Sequence, residues 1–275
     1  MILDGKEGDD TIVTGNGNDW VKGGPGKDDI STGPGHDILF IDSEDKKLDG
    51  GDGFDVAFVT TSQGVSINLG QSNIEAFYGN GGNDVIVASD SKEAVQIHGH
   101  AGDDEIIGSD HDDILIGGAG KDKISGGKGN DKIFIDTEDD ISNIDAGEGE
   151  DSIHVMDSRG ITLDLDTVNA ENFVGNDGDD VVKAQGNKKY IMYGGKGNDA
   201  LTGGSHTNVL DGGPGNDILY GGQGNNKYMF GPDYNQDIIF SKGKGKEGGR
   251  DLVLLSSKIE KEDIIFSQQE QDLRL

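Results

Sequence analysis

Fourteen aspartates fall at one fixed place in a nine-residue period: Asp10, Asp19, Asp28, Asp37, Asp55, Asp84, Asp104, Asp113, Asp122, Asp131, Asp151, Asp180, Asp199 and Asp217. Each is followed two residues later by an aliphatic side chain. A carboxylate offers only oxygen, and carboxylates held in register repel one another. A hard cation resolves that repulsion. Calcium takes six to eight oxygens from carboxylates and backbone carbonyls and tolerates irregular geometry. The residues before each aspartate are rich in glycine, which permits positive φ and exposes carbonyls. Asp outnumbers Glu 40 to 13; a short side chain keeps its oxygen close to the turn.

The period defines the elements that must position these groups. From Gly5 the chain cuts into GKEGDDTIV, TGNGNDWVK, GGPGKDDIS and TGPGHDILF. The pattern returns at Gly99 (GHAGDDEII, GSDHDDILI, GGAGKDKIS, GGKGNDKIF) and at Gly194 (GGKGNDALT, GGSHTNVLD, GGPGNDILY, GGQGNNKYM). Six turn-forming residues followed by three with a central aliphatic read as turn, then short strand. Side chains alternate along a strand, so position eight points inward and positions seven and nine outward. Two nonapeptides make one coil, and turns 18 residues apart stack on the same edge about 4.8 Å apart. The spacers are related as well: LDGGDGFDVAFV (48–59) parallels IDAGEGEDSIHV (144–155), and 64–86 parallels 160–182.

The segments GGKGNDKIF and GGPGNDILY resemble the calcium-binding nonapeptide GGxGxDxUx of the RTX (repeats-in-toxin) family. That resemblance implies an all-β fold, a right-handed parallel β-roll or β-solenoid. Three four-repeat blocks (1–40, 99–134 and 194–230) alternate with spacer coils (41–98 and 135–193), and a capping β segment follows at 231–275. It implies that the fourteen aspartates bridge calcium ions. The backbone carbonyls of Gly24, Gly26, Gly118, Gly120, Gly127, Gly129, Gly195, Gly197, Gly213 and Gly215 would supply further ligands. It also implies export through a type I secretion apparatus. The multi-block layout is similar to the receptor-binding part of RTX adenylate cyclase toxins, which points to a host-cell receptor as a partner. A surface adhesin region and the calcium-binding tail of a secreted protease or lipase are the alternative parents.

The register predicts same-edge pairs Asp10/Asp28, Asp19/Asp37, Asp37/Asp55, Asp104/Asp122, Asp113/Asp131 and Asp199/Asp217. Asp84/Asp104 and Asp180/Asp199 are 20 and 19 residues apart and need a small bulge. Lys46 stands at position six of a degenerate repeat (41–49), so the row after Asp28 is expected to stop there. Asn208 and Asn226 replace aspartate in the last block, which predicts a calcium-poor edge. His111 replaces a position-four glycine and weakens the Asp113/Asp131 pair. His98 and His100 read as surface imidazoles more readily than as a metal pair. Trp20, Phe40, Phe58, Tyr220 and Tyr228 read as outward aromatics. Runs at 237–240, 251–255 and 263–266 are expected to build the cap.

A formal charge of −30 excludes nucleic acid and disfavours anionic membranes. No cysteine is present, so thiol chemistry and disulfides are excluded. No HExxH, GxSxG or GxxxxGK[ST] motif occurs, so no catalytic residues are assigned and the chain is read as a non-enzyme. No run of about 18 apolar residues exists, so membrane insertion is not expected. The N-terminus is not a secretory signal. With Leu3 already in a position-eight slot, the chain reads as part of a longer, secreted or cell-surface protein, and as a monomer. From the turn pairs, about eight to twelve calcium ions are expected, which would bring the charge from −30 to roughly −6 to −14. Without them, the chain cannot offset both conformational entropy and self-repulsion.

Overall fold

The computed structural model describes residues 1–231, 234–240 and 250–259. It divides into two compact units, Met1–Asp151 and Ser152–Leu275. Both are parallel β-solenoids with almost no helix.

In the first unit, one sheet takes Ile2–Asp4, Trp20–Lys22, Ile38–Ile41, Val56–Val59, Ala76–Tyr78, Gln96–Ala101, Ile114–Ala119 and Lys132–Ile135, in that order. The opposite face has two sheets. One is Thr11–Val13, Asp29–Ser31 and Lys47–Asp49; the other is Ser66–Asn68, Val85–Val87, Glu105–Ile107, Lys123–Ser125 and Ile144–Asp145. In the second unit, Ser152–Val155, Asn172–Val174, Ile191–Tyr193, Val209–Asp211, Lys227–Phe230 and Leu252–Leu255 pair in order on one face. On the other are Thr162–Asp164, Val181–Lys183, Ala200–Thr202, Ile218–Tyr220 and Ile238–Phe240.

The register follows from the period. Leu3 lies beside Val21 and Val21 beside Leu39; Ile12 lies beside Ile30. A step of 18 residues therefore returns each position to its own column. Position eight fills the interior: Val21, Leu39, Ala57, Phe77, Ile97, Leu115 and Ile133 form one fully buried column. Burying each large member contributes roughly 1.5–3 kcal/mol. Phe77 and Ile97 come from the spacer, so within this unit the spacer coils stack in the same sheet as the repeats. The departures from the period are local. A four-residue helix, Leu69–Ser72, is capped by Asn68 and followed by Asn73 in left-handed backbone; a 3-10 turn covers Ile141–Asn143.

The outward aromatics divide. Trp20, Phe40, Phe58 and Tyr78 form a stack outside the first unit's long sheet, with Phe58 and Tyr78 centroids 4.8 Å apart. His98 and His100 join it with their rings stacked at 3.9 Å. Tyr228 corrects the expectation: it sits at position eight beside Leu210 and is fully buried. The runs at 238–240 and 252–255 pair in parallel with the preceding coil; the run at 263–266 lies outside the described residues. Among the described residues no helix is long and apolar enough to cross a membrane.

Candidate metal sites along the turn edges

Each coil passes through two turns, so each unit carries two rows of turns. The turns ending in Asp10, Asp28, Asp84, Asp104, Asp122, Asp180, Asp199 and Asp217 lead into the shorter sheets. Those ending in Asp19, Asp37, Asp55, Asp113, Asp131 and Asp151 lead into, or toward, the long-sheet strands.

One geometry repeats along both rows. Along each row the backbone N–H of one aspartate donates to Oδ1 of the next aspartate on its edge, except at Asp55, whose N–H donates to Glu75. Asp10 donates to Asp28 at 2.8 Å, Asp19 to Asp37 at 2.8 Å, Asp37 to Asp55 at 2.7 Å and Asp104 to Asp122 at 2.9 Å. Asp113 to Asp131 and Asp199 to Asp217 are alike at 2.8 Å. The irregular spacings close the same contact: Asp84 to Asp104 at 2.7 Å, Asp131 to Asp151 and Asp180 to Asp199 at 2.8 Å. All predicted same-edge pairs are therefore adjacent.

The second carboxylate oxygen is the informative one. In thirteen of the fourteen aspartates, all but Asp113, Oδ2 is buried and has no hydrogen-bond partner. A buried carboxylate oxygen without a partner is costly. Thirteen at one register position call for a positive ligand. Burial raises the proton affinity of eight of them, Asp84 among these. Asp55, Asp104, Asp122, Asp180 and Asp217 are pushed up to about 6, and Asp131 and Asp199 to about 7. Neighbouring carboxylates add to the effect, as Asp84 does on Asp104 and Asp180 on Asp199.

Backbone oxygens complete the surroundings. Gly24 (φ 112°) and Gly26 (φ 141°) face the preceding turn so closely that a Cβ would run into the carbonyl oxygens of Lys6 and Gly8. A Cβ on Gly5 would meet the Gly23 carbonyl oxygen and, at 2.7 Å, Asp10 Oδ2. The same contacts recur at Gly118 and Gly120, Gly127 and Gly129, Gly195 and Gly197, and Gly213 and Gly215. The space between turns is thus walled by oxygen and closed to side chains. That donor set fits a hard divalent cation of the calcium type. Among the described residues no cluster of three or more His, Cys, Asp or Glu side chains stands ready for a metal; two carboxylates and several carbonyls would have to share the task.

Three places depart from the pattern. Asp113 has no free oxygen: Oδ2 accepts the Ser109 N–H at 2.6 Å, and Oδ1 accepts the Ser109 hydroxyl at 2.9 Å and the Val95 N–H at 2.7 Å. On the Asn208/Asn226 edge, the Asn208 amide nitrogen donates to the carbonyls of His206 and Gly221, both at 2.8 Å. An amide thus fills the place that a cation would take. The row after Asp28 requires a correction. Its neighbour is Asp45, not Lys46, because the turn is one residue shorter. Asp45 Oδ1 accepts the Asp28 N–H at 2.9 Å and Oδ2 the Asp42 N–H at 2.8 Å. Asp139 repeats this with Asp122 and Asp136.

Three features escape the nonapeptide reading. The paired terminators carry a visible signal, Ile-Asp-Ser-Glu-Asp at 41–45 and Ile-Asp-Thr-Glu-Asp at 135–139. Asp237 extends the last row, accepting the Asp217 N–H at 2.9 Å; Ile239 follows it two residues later, as the pattern requires. Position five makes a second ladder of opposite sense. Asp9 accepts from Lys27, Asp103 from Lys121, Asp112 from Asn130 and Asn198 from Asn216, each through the backbone N–H. That explains the preference for Asp and Asn beside the position-six aspartate.

The family model of the RTX calcium-binding nonapeptide repeat (4 copies) matches residues 4–39, 70–92, 98–133, 107–142, 193–228 and 202–235, together more than half of the chain. No curated protein matches it.

Proposed function

Since the chain belongs to the RTX calcium-binding nonapeptide-repeat family, we propose that it is the calcium-gated repeat region of a secreted bacterial toxin. In this reading it is unfolded at cytosolic calcium, passes a type I secretion channel as an extended chain, and folds outside. The folded roll then presents a surface to a host-cell receptor, and catalysis, where the parent protein has any, lies in other domains. The observation that carries the reading is the row of buried, unpartnered Oδ2 atoms. Ionised, as at neutral pH, those oxygens are tolerable in a folded roll only when a cation is bound.

The position-six aspartates of adjacent turns would hold the ions together with the carbonyls of positions two and four. When bound, calcium supplies positive charge and folding free energy. The chain's own contribution is to present oxygens from turns whose N–H groups already hold each Oδ1 in place. Calcium that binds the roll and not the coil stabilises by roughly 1.4 kcal/mol for each tenfold excess over Kd at each site. Extracellular modules bind with Kd of about 10⁻⁴ to 10⁻³ M. Such sites are empty in cytosol and filled outside.

Calcium titration followed by far-UV circular dichroism, with ion counting by mass spectrometry, tests the proposal. A coil-like spectrum in chelator at pH 7.5 should convert to strand over that concentration range, with several ions bound per chain. A spectrum already rich in strand in chelator would refute the gate.

A further inference from the structure

The row Asp19, Asp37, Asp55 reaches the limit of the nonapeptide pattern at Asp55. The next turn on that edge carries the helix Leu69–Ser72, then Asn73 and Glu75. We propose that the gap between the Asp55 turn and this helical turn is a further divalent-cation site, held by Asp55, Glu75 and the backbone carbonyl of Asn73. The inference rests on the calcium reading above and extends it to a turn that lacks the repeat.

Asp55 is fully buried. Its Oδ1 is taken by the Asp37 N–H at 2.7 Å, and its Oδ2 has no partner. That Oδ2 lies toward the helical turn. A Cβ on Gly50 would stand 2.6 Å from it and would also run into the carbonyl oxygen of Asn73. Within the repeats the same place pairs Asp10 Oδ2 with the Gly23 carbonyl, seen from Gly5, and Asp199 Oδ2 with the Gly212 carbonyl, seen from Gly194. The Asn73 carbonyl therefore substitutes for a position-one carbonyl. Glu75 substitutes for the position-six aspartate: its Oε2 accepts the Asp55 N–H at 2.8 Å, the contact that Oδ1 makes elsewhere. A polar cavity of about 180 Å³, lined by residues that include Asp52, Asn73, Glu75, Ser91, Lys92 and Glu93, opens beside it. Water there would complete a shell of six to eight oxygens.

The opposite edge supplies the contrast. Asp28 and Asp122 also end their rows and likewise keep an unpartnered Oδ2, but they face Asp45 and Asp139, whose two carboxylate oxygens both accept backbone N–H groups, so no second carboxylate oxygen is left open to a cation there. The two edges of one block thus end differently, one with an added cation site and one without.

Anomalous diffraction from crystals of the chain grown in calcium and soaked in terbium tests this. Peaks are expected at the Asp19/Asp37, Asp37/Asp55 and Asp55/Glu75 gaps, and none at Asp28/Asp45. Peaks at the first two without the third overturn this inference and leave the calcium reading standing. No peak at any gap overturns both. In solution, Glu75→Gln keeps the hydrogen-bond acceptor and removes the charge; it should lower the calcium count by one ion per chain. Glu44→Gln, at an exposed position of the terminating turn, should leave the count unchanged. An equal count in Glu75→Gln and the unaltered chain overturns the site.

Discussion

In chelator the folded roll should be recovered by acid. Seven position-six aspartates, Asp55, Asp104, Asp122, Asp131, Asp180, Asp199 and Asp217, hold protons up to about 6 or about 7 in the calcium-free roll, against an ordinary 3.8. Each pH unit of that difference is worth about 1.4 kcal/mol. Ionising one of them inside the roll at pH 7.5 therefore costs about 3 kcal/mol, and all seven cost on the order of 20 kcal/mol. A domain's whole stability is about 5–15 kcal/mol, so the calcium-free roll should be unfolded at that pH. The folded pKa values are raised, so between 3.8 and about 7 the folded state binds more protons than the coil. Stability is then present at low pH and lost as pH rises through about 6 to 7. The assay is far-UV circular dichroism from pH 7.5 to 5 in chelator, a window above the sequence pI of 4.2. Strand signal should grow as the pH falls through this window, while a parallel scan in millimolar calcium should stay flat. The chain also carries six histidines. The double variant Asp131→Asn, Asp199→Asn isolates the carboxylate contribution: it should move the acid-induced gain of strand in chelator to higher pH and raise the calcium concentration needed for folding at pH 7.5. A chelator scan without pH dependence, or with strand lost on acidification, would refute the reasoning.

Other outcomes follow from the same geometry. Asp104→Asn removes a carboxylate shared by two gaps and should raise the calcium midpoint of folding about tenfold, the equivalent of roughly 1.4 kcal/mol of lost linkage; calorimetric titration reads it. Asn208→Asp with Asn226→Asp should add one calcium ion by mass spectrometry and lower the thermal midpoint in chelator, because the amide donors to the His206 and Gly221 carbonyls are gone. Gly118→Ala should destabilise the calcium-loaded roll by about 1–2 kcal/mol from backbone strain alone, since Gly118 has φ 112° and faces the His100 carbonyl. Gly15→Ala, with no atom near its Cβ position, should change urea unfolding little.

Much of this architecture is legible because one period carries two messages. The aliphatic at position eight gives the inward column, and the aspartate two residues before it gives the turn edge. Both return after 18 residues, so register and same-edge pairs follow from counting. The row of unpartnered Oδ2 atoms is the physical expression of that count. Counting breaks down where the coil changes length. At 41–49 nine residues keep the total, yet the turn is one residue shorter, and Asp45 rather than Lys46 meets Asp28. The period cannot reveal this, because it tracks spacing and not which carboxylate a free N–H can reach. The repeated Ile-Asp-Ser/Thr-Glu-Asp was the available signal, and its meaning is a hydrogen-bonding one: a carboxylate whose two oxygens are both satisfied ends a row that cations would otherwise continue. Glu75 is harder still. Only the structure brings a glutamate from a helical turn to the place of a repeat aspartate. The distinction between an edge that ends in a satisfied carboxylate and one that ends in an open one lies in three dimensions. On the calcium reading, it would set how many ions a block takes, and hence how steeply its folding depends on calcium.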